Sequence, residues 1–289
     1  GYPTLNISEV KRIPIPLPPL PEQQKIAAVL SAVQEAKEKT QAVIDATKAL
    51  KKSMMKHLFT YGPVSPEETE NVPLKDTEIG KVPEDWEVVK LGEIADFKNG
   101  VNFSANQKGK QGVLTIDVLN MYCEDIYLRL SNLYRVNKKI EEDYLLKKGD
   151  ILFVRSSLKR EGVGWASLFK PFNEPVTFCG FIIRARLNNN NIQPEFVTNY
   201  MRSDIARNNL IASSGKVAIT NINQGMLGNI SLPLPPLPVQ QKIASILSAI
   251  DAKIEAEENK KQALEELFKT LLNNLMTAKI RVNHLEVKS

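Results

Sequence analysis

The stretch PLPPLPEQQKIAAVLSA, Pro16 to Ala32, is written again as PLPPLPVQQKIASILSA from Pro233 to Ala249. Fourteen of the 17 aligned positions are identical; the exceptions are Glu22/Val239, Ala28/Ser245 and Val29/Ile246. An offset of 217 residues is too long for a stacked solenoid unit, so the duplicated unit is a domain with its connector. Each copy passes from a proline-rich lead-in to a segment free of Gly and Pro, 22–61 and 239–289, and both segments are expected to be helices. In the first, Ile26, Val29, Val33, Ala36, Thr40, Val43, Thr47, Leu50 and Met54 alternate three- and four-residue steps, as in a coiled-coil seam. A helix of about 38 residues extends about 57 Å at 1.5 Å per residue. The second carries Ile243, Ile246, Ile250 and Ile254, then, after the polar EAEENKKQ, Leu264, Leu267, Phe268, Leu271 and Leu275. A single long helix cannot bury such a stripe, whereas two of matched length can cover each other. The expected seam is Ile26, Val29, Val33, Val43 and Leu50 against Ile243, Ile246, Ile250, Leu264 and Leu271. The lead-in IPLPPLP reads as a stiff entry that sets where the helix starts, rather than as a ligand for a proline-binding domain.

Between the helices, YGPVSPEETENVP (Tyr61–Pro73) has the Pro, Gly and acidic content of a linker. Strand-like runs then follow at Glu87–Lys90, Val113–Val118, Asp150–Arg155 and Val176–Leu187, with a helical run at Pro194–Leu210. These predict a mixed α+β domain of about 150 residues. The net charge is +5, and between Gly80 and Ile219 there are 20 Lys and Arg against 16 Asp and Glu. The basic excess therefore lies in this domain and suits a polyanionic partner.

No apolar run approaches the roughly 18–20 residues that span a bilayer, and GYPTLNISEVKR lacks the order of a signal peptide, so a cytoplasmic protein is expected. The cysteines, Cys123 and Cys179, form no CxxC pair, and with His57 and His284 they do not make a zinc site; both are read as reduced and structural. No catalytic motif is found. LPPLP has no Asn or Asp before its prolines, SSGKVAIT places Val217 where a phosphate-binding loop needs a hydroxyl, and GxSxG is missing. The expectation is a non-catalytic protein with no metal and no cofactor of its own.

Three polar loops carry the candidate contacts to a nucleic-acid partner. KNGVNFSANQKGKQG offers Asn102, Asn106 and Gln107, whose amides suit adenine edges, with Lys108 and Lys110 for phosphate or guanine. RSSLKREGVG offers Arg155, Ser156, Lys159 and Arg160, and SGKVAITN offers Lys216, Thr220 and Asn221. Arg184 and Arg186 alternate with apolar neighbours and are read as lining the wet face of a strand.

TEIGKVPEDWEVVKLGEIADFKNG (Thr77–Gly100), LKKGDILFVRSS (Leu146–Ser157) and NISLPLPPLPVQQKIASILSAID (Asn229–Asp251), in this order, resemble the specificity subunits of type I restriction–modification systems, and the resemblance runs along the whole chain. It implies a mixed α/β target-recognition domain flanked by two long helices that form an antiparallel coiled coil. In that family each recognition domain reads half of a split site in double-stranded DNA, and the helices set the spacing. Methyltransferase subunits bind the same scaffold and carry the S-adenosylmethionine chemistry; the restriction subunit, with its ATP, joins through them. The resemblance divides the chain into 1–15, the exit of a first recognition domain not otherwise present; 16–61, a helical region; 62–78, a linker; 79–232, a recognition domain; and 233–289, a second helical region. With one reader instead of two, the chain is expected to act as a half-subunit, or else as an inactive, truncated copy that is only a helical spacer. The domain between the helices holds them at high effective concentration, which favours a hairpin over exchange into a homodimer.

Overall fold

The computed structural model describes residues 6–13, 15–157, 160–213 and 220–282. In chain order, its first elements are α1 (Leu20–Tyr61), β1 (Leu74–Thr77), β2 (Gly80–Pro83), β3 (Glu87–Lys90), β4 (Ala95–Asn99), β5 (Lys108–Gly109), β6 (Val113–Ile116) and β7 (Tyr134–Val136). Then come β8 (Ile151–Val154), β9 (Ser156–Ser157), β10 (Ala166–Leu168), β11 (Val176–Phe178) and β12 (Ile182–Leu187). The remainder is α2 (Pro194–Arg202), α3 (Asp204–Ser213), β13 (Thr220–Asn221), α4 (Gln224–Gly228), β14 (Ser231–Leu234) and α5 (Leu237–Met276). Short helical turns at Ile7–Val10, Pro66–Asn71 and Leu91–Ile94 complete the list of helices that matter here. No helix of the described residues is long and apolar enough to cross a membrane.

The repeated sequence produces the same local structure twice. α1 and α5 start at equivalent residues, Leu20 and Leu237, with Pro21 and Pro238 in the first turn, where a missing N–H costs nothing. Glu22 and Gln23 donate their N–H groups to the Pro19 carbonyl (2.9 and 3.0 Å), as Val239 and Gln240 do to Pro236 (2.9 and 3.1 Å). The side chains of Gln23 and Gln240 each donate to a proline carbonyl five residues back, Pro18 and Pro235, at 2.8 Å.

The chain forms two compact units, Gly1–Lys48 with Ala252–Ser289, and Ala49–Asp251. In the first, the two helical segments run antiparallel. Arg281 binds Glu22 through two hydrogen bonds of 2.5 and 2.7 Å, Lys37 lies 5.2 Å from the Phe268 ring centre, and Lys48 pairs with Glu258 at 3.1 Å. Ile44, Ile254, Leu275 and Thr40 are buried, while Ile26, Val29, Val33, Leu264 and Leu271 are half-buried.

Two expected seam residues face outward. Val43 is 41% exposed beside Ile44 at 2%, and in the other unit Leu50 is 52% exposed while its neighbour Lys51 points inward. A strict heptad pattern assumes 3.5 residues per turn, but a straight helix has 3.6 and drifts about 20° per heptad. From Ile26, five full turns of about 3.6 residues land on Ile44 and seven land on Lys51, so the inward stripe slips by one residue.

The second unit is layered. The central sheet has the order β10-β8-β12-β4, with antiparallel neighbours throughout. The second sheet has the order β11-β6-β7-β5, its β11 and β6 parallel. Strand side chains alternate between faces, and β8, apolar at every position, is buried on both. Ile151 and Phe153 enter a core with Phe59, Trp86, Phe196, Tyr200 and Leu247, whereas Leu152 and Val154 join Leu114, Ile116, Phe178 and Ile182 under the second sheet. In the first core Phe59 meets Phe196 and Tyr200 edge-on, with ring centres 5.6 and 5.2 Å apart. Ile243 is fully buried there, and Ile246 and Ile250 pack against it. β14 pairs antiparallel with β3 just before α5 begins.

Arg184 and Arg186 do not line a wet face. Arg184 is 4% exposed and donates to the Asp143 carbonyl at 2.6 Å, and Arg186 clasps the Asp150 carboxylate through Nε and Nη2, each at 2.7 Å. The second sheet and its loops cover the face that a two-layer reading would leave in water, so these cations are balanced internally.

Candidate nucleic-acid interface

β8 and β12 are antiparallel with Val154 opposite Ile182, so the exit from β8 and the entry to β12 lie at one end of the central sheet. Three polar segments meet there. Arg155 follows β8; its N–H donates to the Phe181 carbonyl (2.8 Å), its Nη1 to the Gly180 carbonyl (3.3 Å), and its own carbonyl accepts from Ile222 N–H (3.0 Å). The next residues, Ser156 and Ser157, pair as β9 with Asn221 and Thr220 of β13. From the other side, Val101 N–H donates to Phe178 (2.9 Å), and Asn102 Oδ1 comes so close that a Cβ on Gly180 would lie 2.0 Å from it. The missing side chain at Gly180 lets the Asn102 amide lie directly against the turn.

Asn102, Arg155, Ser156 and Asn221, 119 positions apart at the extremes, therefore surround one turn, Cys179–Gly180–Phe181–Ile182, closed by a 3.0 Å hydrogen bond from Ile182 N–H to the Cys179 carbonyl. Asn102 and Asn221 are exposed, and Arg155 and Ser156 are half-buried. The remaining candidates are less uniform. Gln107 is engaged in a local cap, its Oε1 accepting from Ser104 N–H at 3.0 Å, and Asn106 is exposed but bonded to the Ser104 hydroxyl. Lys108 is exposed, but its Nζ lies 3.6 Å from the Asp117 carboxylate and 3.8 Å from the centre of the Tyr134 ring, so its charge is partly balanced within the protein. Burial, with Asp117 nearby, raises the Tyr134 phenol pKa and keeps it neutral. Lys110 is exposed and makes no ion pair among the described residues. Lys159 and Lys216 lie outside the described residues, as do the side chains of Arg160 and Thr220.

The same end carries apolar groups that the sequence reading missed. Phe181 is 61% exposed, Leu119 86% and Tyr122 43%. The run Val176–Leu187 reads as one strand by composition, yet Gly180 in its middle marks the turn between β11 and β12 that puts Phe181 on the surface. Two arginines, half-buried Arg202 and buried Arg207, tie the surrounding loops to α2 and α3. Arg202 donates to the carbonyls of Ala166 (2.7 Å) and Glu124 (3.1 Å), and Arg207 to those of Val163 and Glu161 (2.6 Å each). Their guanidinium carbons lie 4.6 and 5.9 Å from the Trp165 ring centre. Burial lowers the Arg202 pKa to about 10, which still leaves it cationic at neutral pH.

Among the described residues no three His, Cys, Asp or Glu side chains gather as a metal-binding group. Cys123 and Cys179 are free and buried, and burial pushes the Cys179 thiol up to about 12, so it stays protonated and is a poor nucleophile or ligand. This end of the sheet presents amide, guanidinium and hydroxyl groups around an aromatic tip.

Residues 1–46 and 83–266 match the model of a family described as the type I restriction modification DNA specificity domain. A similar curated protein is the MjaVIII type I restriction enzyme specificity subunit of Methanocaldococcus jannaschii, 32% identical over 99% of this chain and 66% of its own length. The EcoKI specificity subunit of Escherichia coli is 25% identical over 66% of this chain. Among solved structures, the HsdS subunit of Thermoanaerobacter tengcongensis superposes with a TM-score of 0.54 at 18% identity, over 97% of this chain and 64% of that one. The S subunit of a type I system from M. genitalium gives 0.55 at 19% identity, over 94% and 65%. The chain spans just under two thirds of the length of the MjaVIII subunit and of these two solved structures.

Proposed function

The chain belongs to the type I restriction modification DNA specificity family, and from that premise we propose that it is a non-catalytic DNA reader whose recognition domain between the long helices contacts a half-site through the sheet end bearing Asn102, Arg155, Ser156 and Asn221. The observation that carries this reading is convergence. Residues from three polar loops, far apart in sequence, are locked around the Gly180–Phe181 turn by strand pairing and by the Arg155 hydrogen bonds. Amides read adenine edges and guanidinium reads guanine in the major groove, while nearby cations hold phosphates and make binding salt-dependent. The family match extends over 83–266 and so includes the domain between the helices, which a mere helical spacer would not need.

On this reading the long helices are the docking scaffold for methyltransferase subunits, which supply S-adenosylmethionine chemistry, and a restriction subunit joins through them. The chain itself holds no cofactor, works in the cytoplasm, and forms a hairpin of its own two helices in preference to a homodimer. Selection of duplexes from a random pool tests the central point. The full chain is expected to enrich a defined motif. Asn102→Ala and Arg155→Ala are expected to change which bases are preferred more than the affinity for unselected DNA. Enrichment of no motif by the wild-type chain, or identical motifs from all three proteins, would defeat this assignment.

A further inference from the structure

Phe181 is the most exposed aromatic side chain among the described residues, at 61%, and the turn that carries it is hydrogen-bonded on both flanks. Beyond the Cys179–Ile182 hydrogen bond, the turn is fixed on one flank by Arg155, which binds the carbonyls of Gly180 and Phe181. On the other flank, Cys179 N–H donates to the Ile116 carbonyl (3.0 Å) and Gly100 N–H to that of Ile182 (3.0 Å). Gly100 and Gly180 allow this approach: a Cβ at Gly100 would lie 2.1 Å from the Cys179 carbonyl oxygen. A large ring carried into water on a fixed backbone turn does nothing for the core, and the fixed backbone means that only side-chain freedom is lost when a ligand covers it.

The turn's neighbours indicate what covers the ring. Asn102 and Arg155 bear the amide and guanidinium groups that pair with purine edges in the major groove, and the apolar feature of base-pair edges in that groove is the thymine methyl. We propose that Phe181 is a specificity-determining residue that packs on a thymine methyl beside the bases read by its polar neighbours. This rests on the DNA-reading assignment above and deepens it. The parallel register of β6 and β11, Ile116 opposite Phe178, brings the exit toward Leu119, itself 86% exposed, to the same end, so an apolar contact can continue beyond a single ring.

The test uses the full chain as wild type, Phe181→Ala and Phe181→Leu. Each is taken through selection from a random duplex pool, and the enriched site is then remade with deoxyuridine in place of thymidine, one position at a time. Wild type is expected to bind about fourfold more weakly when one particular methyl is removed, the loss of one buried carbon. Phe181→Leu is expected to keep that preference. Phe181→Ala is expected to bind thymine and uracil at that position equally, with an unchanged melting temperature because the ring is not part of either core. If Phe181→Ala enriches the same thymine with the same methyl dependence, Phe181 does not read it and the proposal falls alone. If wild type enriches no motif, the DNA-reading assignment falls and takes this proposal with it.

Discussion

Lys51 and Asp251 form an ion pair with Nζ 2.5 Å from Oδ1, and their side chains retain 13% and 11% exposure. Lys51→Met keeps the aliphatic stem but leaves the carboxylate buried without its main cation. Breaking such a pair costs about 3–5 kcal/mol, and we expect the lower end, about 3 kcal/mol, because Arg202 also stabilises the Asp251 charge. Burial, the largest influence on Asp251, raises its pKa above 3.8 even with Lys51 in place. Between 3.8 and the raised folded value the native state therefore binds more protons than the unfolded chain. This group's contribution to stability thus grows as pH falls through the folded pKa and is smallest above it. Losing Lys51, the main lowering influence, raises the folded value further, so the penalty of Lys51→Met is expected to be largest at neutral pH and to shrink as the pH falls through that raised value. Urea titrations followed by the fluorescence of Trp86, buried in the same unit, would measure it. Adding Asp251→Leu should return most of the loss. A penalty under about 1 kcal/mol at neutral pH, or one that ignores pH, would show that water reaches the carboxylate and that the reasoning is wrong.

The slipped helical stripe predicts that Ile44→Ala costs about 2 kcal/mol and Val43→Ala less than about 0.5 kcal/mol in thermal melts followed by helical circular dichroism; equal costs would restore the heptad seam. Phe59→Ala, which removes a ring packed on Phe196 and Tyr200, should cost about 3–5 kcal/mol by urea titration, and a loss below about 1 kcal/mol would argue against a core role. Lys110→Ala should flatten the salt dependence of duplex binding by about 0.9 in log–log slope, measured by fluorescence anisotropy, whereas Lys108→Ala should leave that slope unchanged because Asp117 already balances its charge. A larger slope change for Lys108→Ala than for Lys110→Ala would reverse the assignment of these two lysines.

Local chemistry was legible without coordinates. The repeat predicts two long helices, and they begin at equivalent residues with the same proline carbonyls accepting the same hydrogen bonds, because φ restriction and first-turn bonding depend on only a few neighbouring residues. The short apolar runs likewise became β3, β6, β8 and β12, and Pro194–Leu210 became α2 and α3. Contacts across long separations were not legible. The spacing of the first helix marked Val43 and Leu50 as seam residues, and the accumulated drift of a straight helix put Ile44 and Lys51 there instead. Composition gave Lys108 and Lys110 equal standing; the fold set an acid and an aromatic ring against one of them. Phe181 passed for a strand residue until strand pairing placed it on a turn among the polar loops. The repeat itself holds the clearest case. Gln23 and Gln240 are the same residue in the same local motif, yet Gln240 also accepts a 2.9 Å hydrogen bond from Gln193 N–H at the start of α2, a partner 47 residues away that folding brings alongside. Backbone geometry follows from a residue and its near neighbours, whereas burial and partners depend on which distant segment folding brings alongside.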